Sequence, residues 1–249
     1  MCVNLNAQDN LTGRQIMEKQ KEASKLEGSE MVGTLKIINQ KGRERIRKTS
    51  IATKSYGNDI NKRIIIFLYP ADVKGTGMLV FDYENKNDDM WIYMPALRKT
   101  RRIVSSEKGK SFMGSEFTNA DISTPNLDDF NYKKLGTEQV NVDCWKIEST
   151  PKDEDIADEN GYSKRIIYIG KKDFVIRKTV YYNLDNELHK ILEGKNIKLI
   201  DTENKKYMAT EMTMSNKQNG RKSIWIIEEI VVNPNIKDEY FTTDYLEKQ

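Results

Sequence analysis

Between Arg98 and Phe117 the chain reads RKTRRIVSSEKGKSFMGSEF, with six Lys/Arg against two acids, and turns rich in glycine and serine around Phe112, Met113 and Phe117. Guanidinium groups at this density suit phosphates or anionic headgroups, which they grip through paired N–H donors. Three readings follow. Arg98, Lys99, Arg101 and Arg102 could neutralise nucleic-acid phosphates while Phe112 and Phe117 stack on bases. Arg98, Arg101 and Arg102 could instead rim a lipid site, with the Gly/Ser segment and its Phe and Met side chains as a mobile flap over an apolar groove. The third reading is an exposed strand followed by a hairpin loop.

Other chemistry has few candidates. The single histidine, His189, falls in an expected strand, with no second His or Cys at metal-ligand spacing, so a zinc site or a Ser/Cys-His triad lacks partners. The acidic run Lys152–Gly161, KDEDIADENG, lacks the residue order and closing Glu of a calcium loop and reads as a solvated hairpin loop. GTG at 75–77 lacks the third glycine of a dinucleotide fingerprint. GKS at 109–111 ends like a phosphate loop, but Val104 stands where that motif needs glycine. These absences disfavour an enzyme and call for no metal or cofactor.

The chain of 249 residues carries a formal net charge of +3. The 98–117 stretch contributes +4, so the remainder sums to −1 and the basicity is local. A nucleic-acid-binding chain usually spreads its Lys/Arg over a face or along a helix, so nucleic acid is not expected as a partner. Hydrophobic residues make up 37% and charged residues 32%, with 12 Tyr and 10 Met, enough for a folded core. The longest apolar run, Ile64–Tyr69, has the length of a strand. Cys2 and Cys144 provide no disulfide framework. Residues 1–10, MCVNLNAQDN, fit either the end of a secretory signal, with Leu5-Asn6-Ala7 before Gln8 as a small-residue cleavage site, or an ordinary chain start.

Elements must position any such site. Thr12-Gly13-Arg14-Gln15 has the form of a capping box, and Ile16, Gln20 and Ala23 follow at helical spacing up to Gly28. From Met31 onward the period is two. Strands are expected around Leu35–Ile37 and Ile46, then at 63–69, 78–84, 90–94, 99–104, 144–149, 164–170, 174–184, 188–199, 205–216 and 222–232, separated by turn signals such as Asn160-Gly161 and Asn219-Gly220. One helix and about a dozen strands predict a mainly β fold: a sandwich, barrel or large curved sheet. Met208, Met212 and Met214 share one strand face, as do Trp91 and Tyr93, and Ile65, Phe67 and Tyr69. Such stripes form ordinary core or, Met being adaptable, line a cavity. One helix cannot cover the concave face of so many strands, which favours an open apolar groove.

Taken together, FLYPADVKGTGML (67–79), DDMWIYMPALRKTRRI (88–103), GKSFMGSEF (109–117) and the ending IKDEYFTTDYL (236–246) resemble the outer-membrane lipoprotein-sorting protein family, relatives of the LolA/LolB-type carriers. The resemblance runs from Leu11 to Leu246 and is sharpest between Phe67 and Phe117. Just after GSEF, where many members carry an acidic pair around Tyr-Glu-Asp-Leu, this chain has TNADI, 118–122.

The resemblance implies a LolA-like half-open β-barrel over residues 11–249, one curved antiparallel sheet around an apolar cavity with a few short helices as a lid. Asn119–Phe130 becomes a candidate second helical region. The implied function is non-catalytic: carriage of lipoprotein acyl chains or other lipids through the periplasm toward the outer membrane, some relatives working beside resistance-nodulation-division-type transporters of the inner membrane. On this reading the cavity is lined by Ile65, Phe67, Leu79, Trp91, Tyr93, Phe112, Met113, Phe117, Met208 and Met212. Arg98, Arg101 and Arg102 orient the headgroup. Replacing Phe112 or Met113 by Asp is then expected to lower lipid occupancy and leave the fold intact. The alternative is an adaptor that docks on a membrane transporter through the basic stretch and carries no lipid. A carrier needs an accessible cavity of a few hundred cubic ångströms, and an adaptor does not.

Overall fold

The computed structural model describes residues 10–57, 60–84 and 86–248. The N-terminal stretch that could end a secretory signal lies, up to residue 9, outside the described residues. Thirteen strands form one antiparallel sheet: β1 (Gly28–Ile38), β2 (Glu44–Ser55), β3 (Ile60–Tyr69), β4 (Gly77–Tyr83), β5 (Asp89–Met94), β6 (Lys99–Ile103), β7 (Phe130–Val140), β8 (Val142–Pro151), β9 (Lys164–Gly170), β10 (Ile176–Tyr182), β11 (Leu188–Asp201), β12 (Lys206–Asn216) and β13 (Lys222–Val232). Their order is β6-β5-β4-β3-β2-β1-β13-β12-β11-β10-β9-β8-β7. Every neighbouring pair is antiparallel, and all but β1–β13 are consecutive in the chain. The sheet is a long meander that curls without closing, as the half-barrel expectation required.

Bulges supply the curl. The β1–β13 register shifts between Val32 and Gly33, and a Cβ on Gly33 would lie 2.6 Å from the Ile226 carbonyl oxygen. A Cβ on Gly194 would come equally close to the Ile176 oxygen. Glycine lets neighbouring backbones approach where the sheet bends.

Helix α1 (Gly13–Ser24) begins with the expected capping box: the Thr12 side chain accepts from the Gln15 N–H, and the Gln15 side chain accepts from the Thr12 N–H. Its Ile16 and Met17 are buried on the concave side with Trp145, Ile147, Ile167 and Ile169 of β8 and β9. A strap, Val104–Asp129, joins the two edge strands across the concave side and makes four short 3-10 turns. The C-terminal segment ends in helix α3 (Thr243–Glu247), and its Ile236, Phe241 and Leu246 cover Ala52, Ile64, Ile66, Leu79 and Tyr93 on the convex face.

Three sequence expectations change here. The acidic run 152–161 is not a plain hairpin loop: Glu154–Asn160 forms helix α2, capped by Asp153 at its start and by Gly161, at φ 74°, at its end. The expected second helical region is the strap's last two 3-10 turns, Ala120–Ile122 and Leu127–Asp129. Strand β7 was not expected at all. It is an edge strand carrying Lys133, Lys134, Glu138 and Gln139, too polar to announce itself by alternation.

Candidate functional site

The concave side holds a cavity of about 450 Å³. Its mouth lies at one rim of the half-barrel, lined by Ser29 near the start of β1, Thr53 near the end of β2, Asn61 near the start of β3 and Lys206 at the start of β12. The last turn of α1 and the residues after it, Gln20 to Leu26, form one lip. The floor is apolar: Met31, Ile51, Ile65, Leu192, Met212, Trp225 and Ile227.

The strap seals the opposite rim. Phe112 stacks on Trp225 with centroids 5.7 Å apart and planes 8° off parallel, and it meets Phe67 at 5.8 Å. Phe117 meets Trp225 edge-on at 5.8 Å. A buried polar knot ties the strap to the sheet: Arg221 Nε lies 3.0 Å from Glu116 Oε1, Asn216 Nδ2 donates to Glu116 Oε2 at 2.8 Å, Lys190 Nζ donates to the Glu116 carbonyl, and Glu116 N–H donates to Ser223 Oγ. Burying a carboxylate is costly unless it is paired and hydrogen-bonded, and Glu116 is both. Neighbouring His189 is held below its ordinary pKa by burial and by the Lys190 charge.

The mouth is polar and mostly self-neutralised. Lys21 of α1 pairs with Glu84 after β4. Lys206 donates to the Glu22 carbonyl at 2.7 Å, with the Glu22 carboxylate 3.9 Å away. Asp173 pairs with Arg177. Inside the mouth, Arg63 donates to Thr53 Oγ1 at 3.4 Å and to the Ile122 carbonyl of the strap, and makes no ion pair among the described residues. Asp82, behind it on β4, is 3% exposed and accepts from Thr124 Oγ1 at 3.1 Å, while its Oδ1 has no hydrogen-bond partner. Burial pushes the Asp82 carboxyl up to about 6, against the opposing pull of Arg63.

The expected site residues divide three ways. Ile65, Met208 and Met212 border the cavity. Phe67, Phe112 and Phe117 are core beneath its floor, and Met113 packs against that core. The segment 108–117 is therefore a plug and not a flexible flap, and an Asp at Phe112, which is 1% exposed, would place a carboxylate in the core and cost the fold. Leu79, Trp91 and Tyr93 face the other side of the sheet, under the C-terminal segment. Nor do the arginines rim the cavity. Arg98 caps the 3-10 turn Pro95–Leu97 in a left-handed conformation, and Arg101 and Arg102 lie exposed on edge strand β6, paired with Glu107 and Asp89. Parity along one strand identifies residues that share a face, but which face is concave depends on partners distant in the chain.

Residues the sequence reading missed are Arg63, Trp225 and the α1 lip. Arg63 follows Lys62 at the start of a strand and looks like solvent-facing charge. The local signal for α1 was its helical period, which says nothing about what it covers.

A family model described as “Uncharacterized protein” matches residues 59–248. The chain belongs to that family. Solved structures extend the likeness over nearly the whole chain. A domain described as an outer-membrane lipoprotein-sorting protein, from Vibrio parahaemolyticus, is 26% identical with a TM-score of 0.87, covering 94% of this chain and 98% of that one. A DUF1329 family protein from Desulfovibrio piger is 28% identical with a TM-score of 0.87, covering 94% and 97%. A LolA superfamily protein from Nitrosomonas europaea shares the fold at 20% identity and a TM-score of 0.72, covering 94% and 99%. The resemblance read from the four sequence stretches thus holds at the level of structure. No curated protein matches the chain.

Proposed function

We propose that this protein is a non-catalytic periplasmic carrier that shelters acyl chains of a lipoprotein or another lipid for transfer toward the outer membrane. The observation that carries the reading is the cavity of about 450 Å³ with an apolar floor, open at one rim of a half-barrel. That volume lies within the range of small-molecule sites. Burying a methylene yields about 0.8 kcal/mol, so a chain of roughly fourteen carbons gains on the order of 10 kcal/mol before ordering costs. Support also comes from the Vibrio parahaemolyticus domain, whose description is lipoprotein sorting. A docking adaptor would need no such space.

The test is to purify the protein from a bacterial periplasm without detergent, extract it with organic solvent and compare the extract with a mock purification by mass spectrometry. A stoichiometric acyl-chain species is the expected result. An empty extract, still empty after incubation with labelled lipid vesicles, would overturn the carrier reading in favour of the adaptor.

A further inference from the structure

The cavity's volume and charge say more about its occupant. At about 450 Å³ the cavity falls in the lower half of the roughly 300–1,000 Å³ range of pockets that take one small-molecule ligand, a size that suits one long acyl chain. One long acyl chain fills it, and the three chains of a triacylated lipoprotein would need about three times the space. The floor offers no room for expansion, because Trp225 is backed by stacked Phe112 and the plug is tied down through Glu116.

The walls are unlike. On one side Leu192, Met208 and Met212 present aliphatic and thioether surface; on the other, Thr53, Asn61 and Arg63 of β2 and β3 present polar groups. Most charges at the mouth already have partners of opposite sign: Lys21 has Glu84, Lys206 has Glu22 and Asp173 has Arg177. Asp121 Oδ2 accepts both the N–H and the O–H of Thr118. Arg63 hydrogen-bonds only neutral acceptors, Thr53 Oγ1 and the Ile122 carbonyl; it offsets the buried Asp82 carboxyl behind it through space and forms no ion pair with it, so guanidinium donors are left for a ligand. A guanidinium inside an apolar pocket with donors to spare suits an anionic oxygen cluster.

We infer that the cavity takes a single-chain anionic amphiphile, with the chain along the Met208/Met212 wall and the acidic headgroup against Arg63. This rests on the carrier reading and narrows its cargo. A free fatty acid and a lysophospholipid share the required chemistry.

The delipidated full chain is titrated with saturated fatty acids from octanoate to eicosanoate, with lysophosphatidylglycerol, with uncharged glycerol monopalmitate, with dipalmitoyl-phosphatidylglycerol and with a tripalmitoylated lipopeptide. Native mass spectrometry reads stoichiometry. Affinity should rise about fourfold per added methylene and then level off once the chain outgrows the cavity. One palmitate should bind per chain, and Met212→Trp should move the break to shorter chains. Arg63→Met should weaken palmitate by at least about tenfold and leave glycerol monopalmitate nearly unchanged, with Arg63→Lys in between. Preference between palmitate and lysophosphatidylglycerol separates the two headgroup sources. If no lipid binds at all, the carrier reading itself falls. If the two- and three-chain lipids bind as tightly as palmitate, or the fatty-acid series shows no break, the single-chain inference falls and the carrier reading stands. Equal loss of charged and uncharged ligands in Arg63→Met would remove the headgroup assignment, and the unaltered chain's series still decides the chain number should that variant misfold.

Discussion

Asp82 is the residue whose chemistry departs furthest from what its place in the sequence suggests. A lone acid near the end of a strand reads as solvent-facing, yet this one is buried, linked to Thr124, 42 residues away, and left with one oxygen unpartnered. Its carboxyl, raised from 3.8 to about 6, binds a proton more readily in the folded chain than in the unfolded one. The folded state therefore holds more protons between those two values, and stability falls as pH rises through that window and stays flat above it. Burial raises Asp88 and Asp129 in the same direction. Lowering the pH from about 7 to about 5 should stabilise the protein, and Asp82→Asn, which keeps an acceptor for Thr124, should gain roughly 2–3 kcal/mol at neutral pH and flatten the profile. Urea unfolding across that range measures both, and an unchanged slope in Asp82→Asn would show that another group titrates. Sequence alone reached Ile65, Met208 and Met212, whose strand parity happens to face inward, and placed Leu79, Trp91 and Tyr93 on the wrong side, because parity is blind to the C-terminal segment that covers them.

Helix α1 shows what local signals do and do not transmit. The Thr12 capping box and the helical period after it were legible because both are satisfied within a few residues. The role of the helix as a lip was not, since its partners Glu84 and Lys206 are far along the chain. The same limit hid β7, and it hid α2 behind an acidic composition that suits a loop and a short capped helix equally. The two ion pairs pin the last turn of α1 from opposite walls. Each pair is partly exposed and so contributes only about 0–1 kcal/mol. That is little for global stability but enough to set how often a lip opens. Lys21→Glu should speed amide exchange in Gln20–Leu26 several-fold with little change in the global unfolding transition, and adding Glu84→Lys should restore the slow rate. Equal exchange in all three proteins would mean that apolar packing of Ile16 and Met17, and not the ion pair, holds the lip.

At the scale of the molecule, the chain passes from edge strand β6 to edge strand β7 by way of the strap, and the sheet stays open between those two strands. Openness leaves two edges with unpaired backbone groups, a hazard for association. The start of α1 packs against one of them: a Cβ on Gly13 would lie 2.9 Å from the Tyr132 carbonyl oxygen of β7. The other edge, β6, is five residues long and carries Lys99, Arg101 and Arg102, so the first half of the basic stretch is the exposed strand of the third reading, and its charges protect the edge. Its charges are balanced without loss of exposure, since Arg101 pairs with Glu107 and Arg102 with Asp89 at the surface. Replacing both arginines by valine should then raise concentration-dependent association above that of the unaltered chain, with folding intact. Replacing both by lysine, which keeps the charge and loses the paired guanidinium donors, should not. Light scattering coupled to size exclusion distinguishes the outcomes: if the valine pair associates no more than the lysine pair, edge protection comes from the shortness and twist of β6 alone.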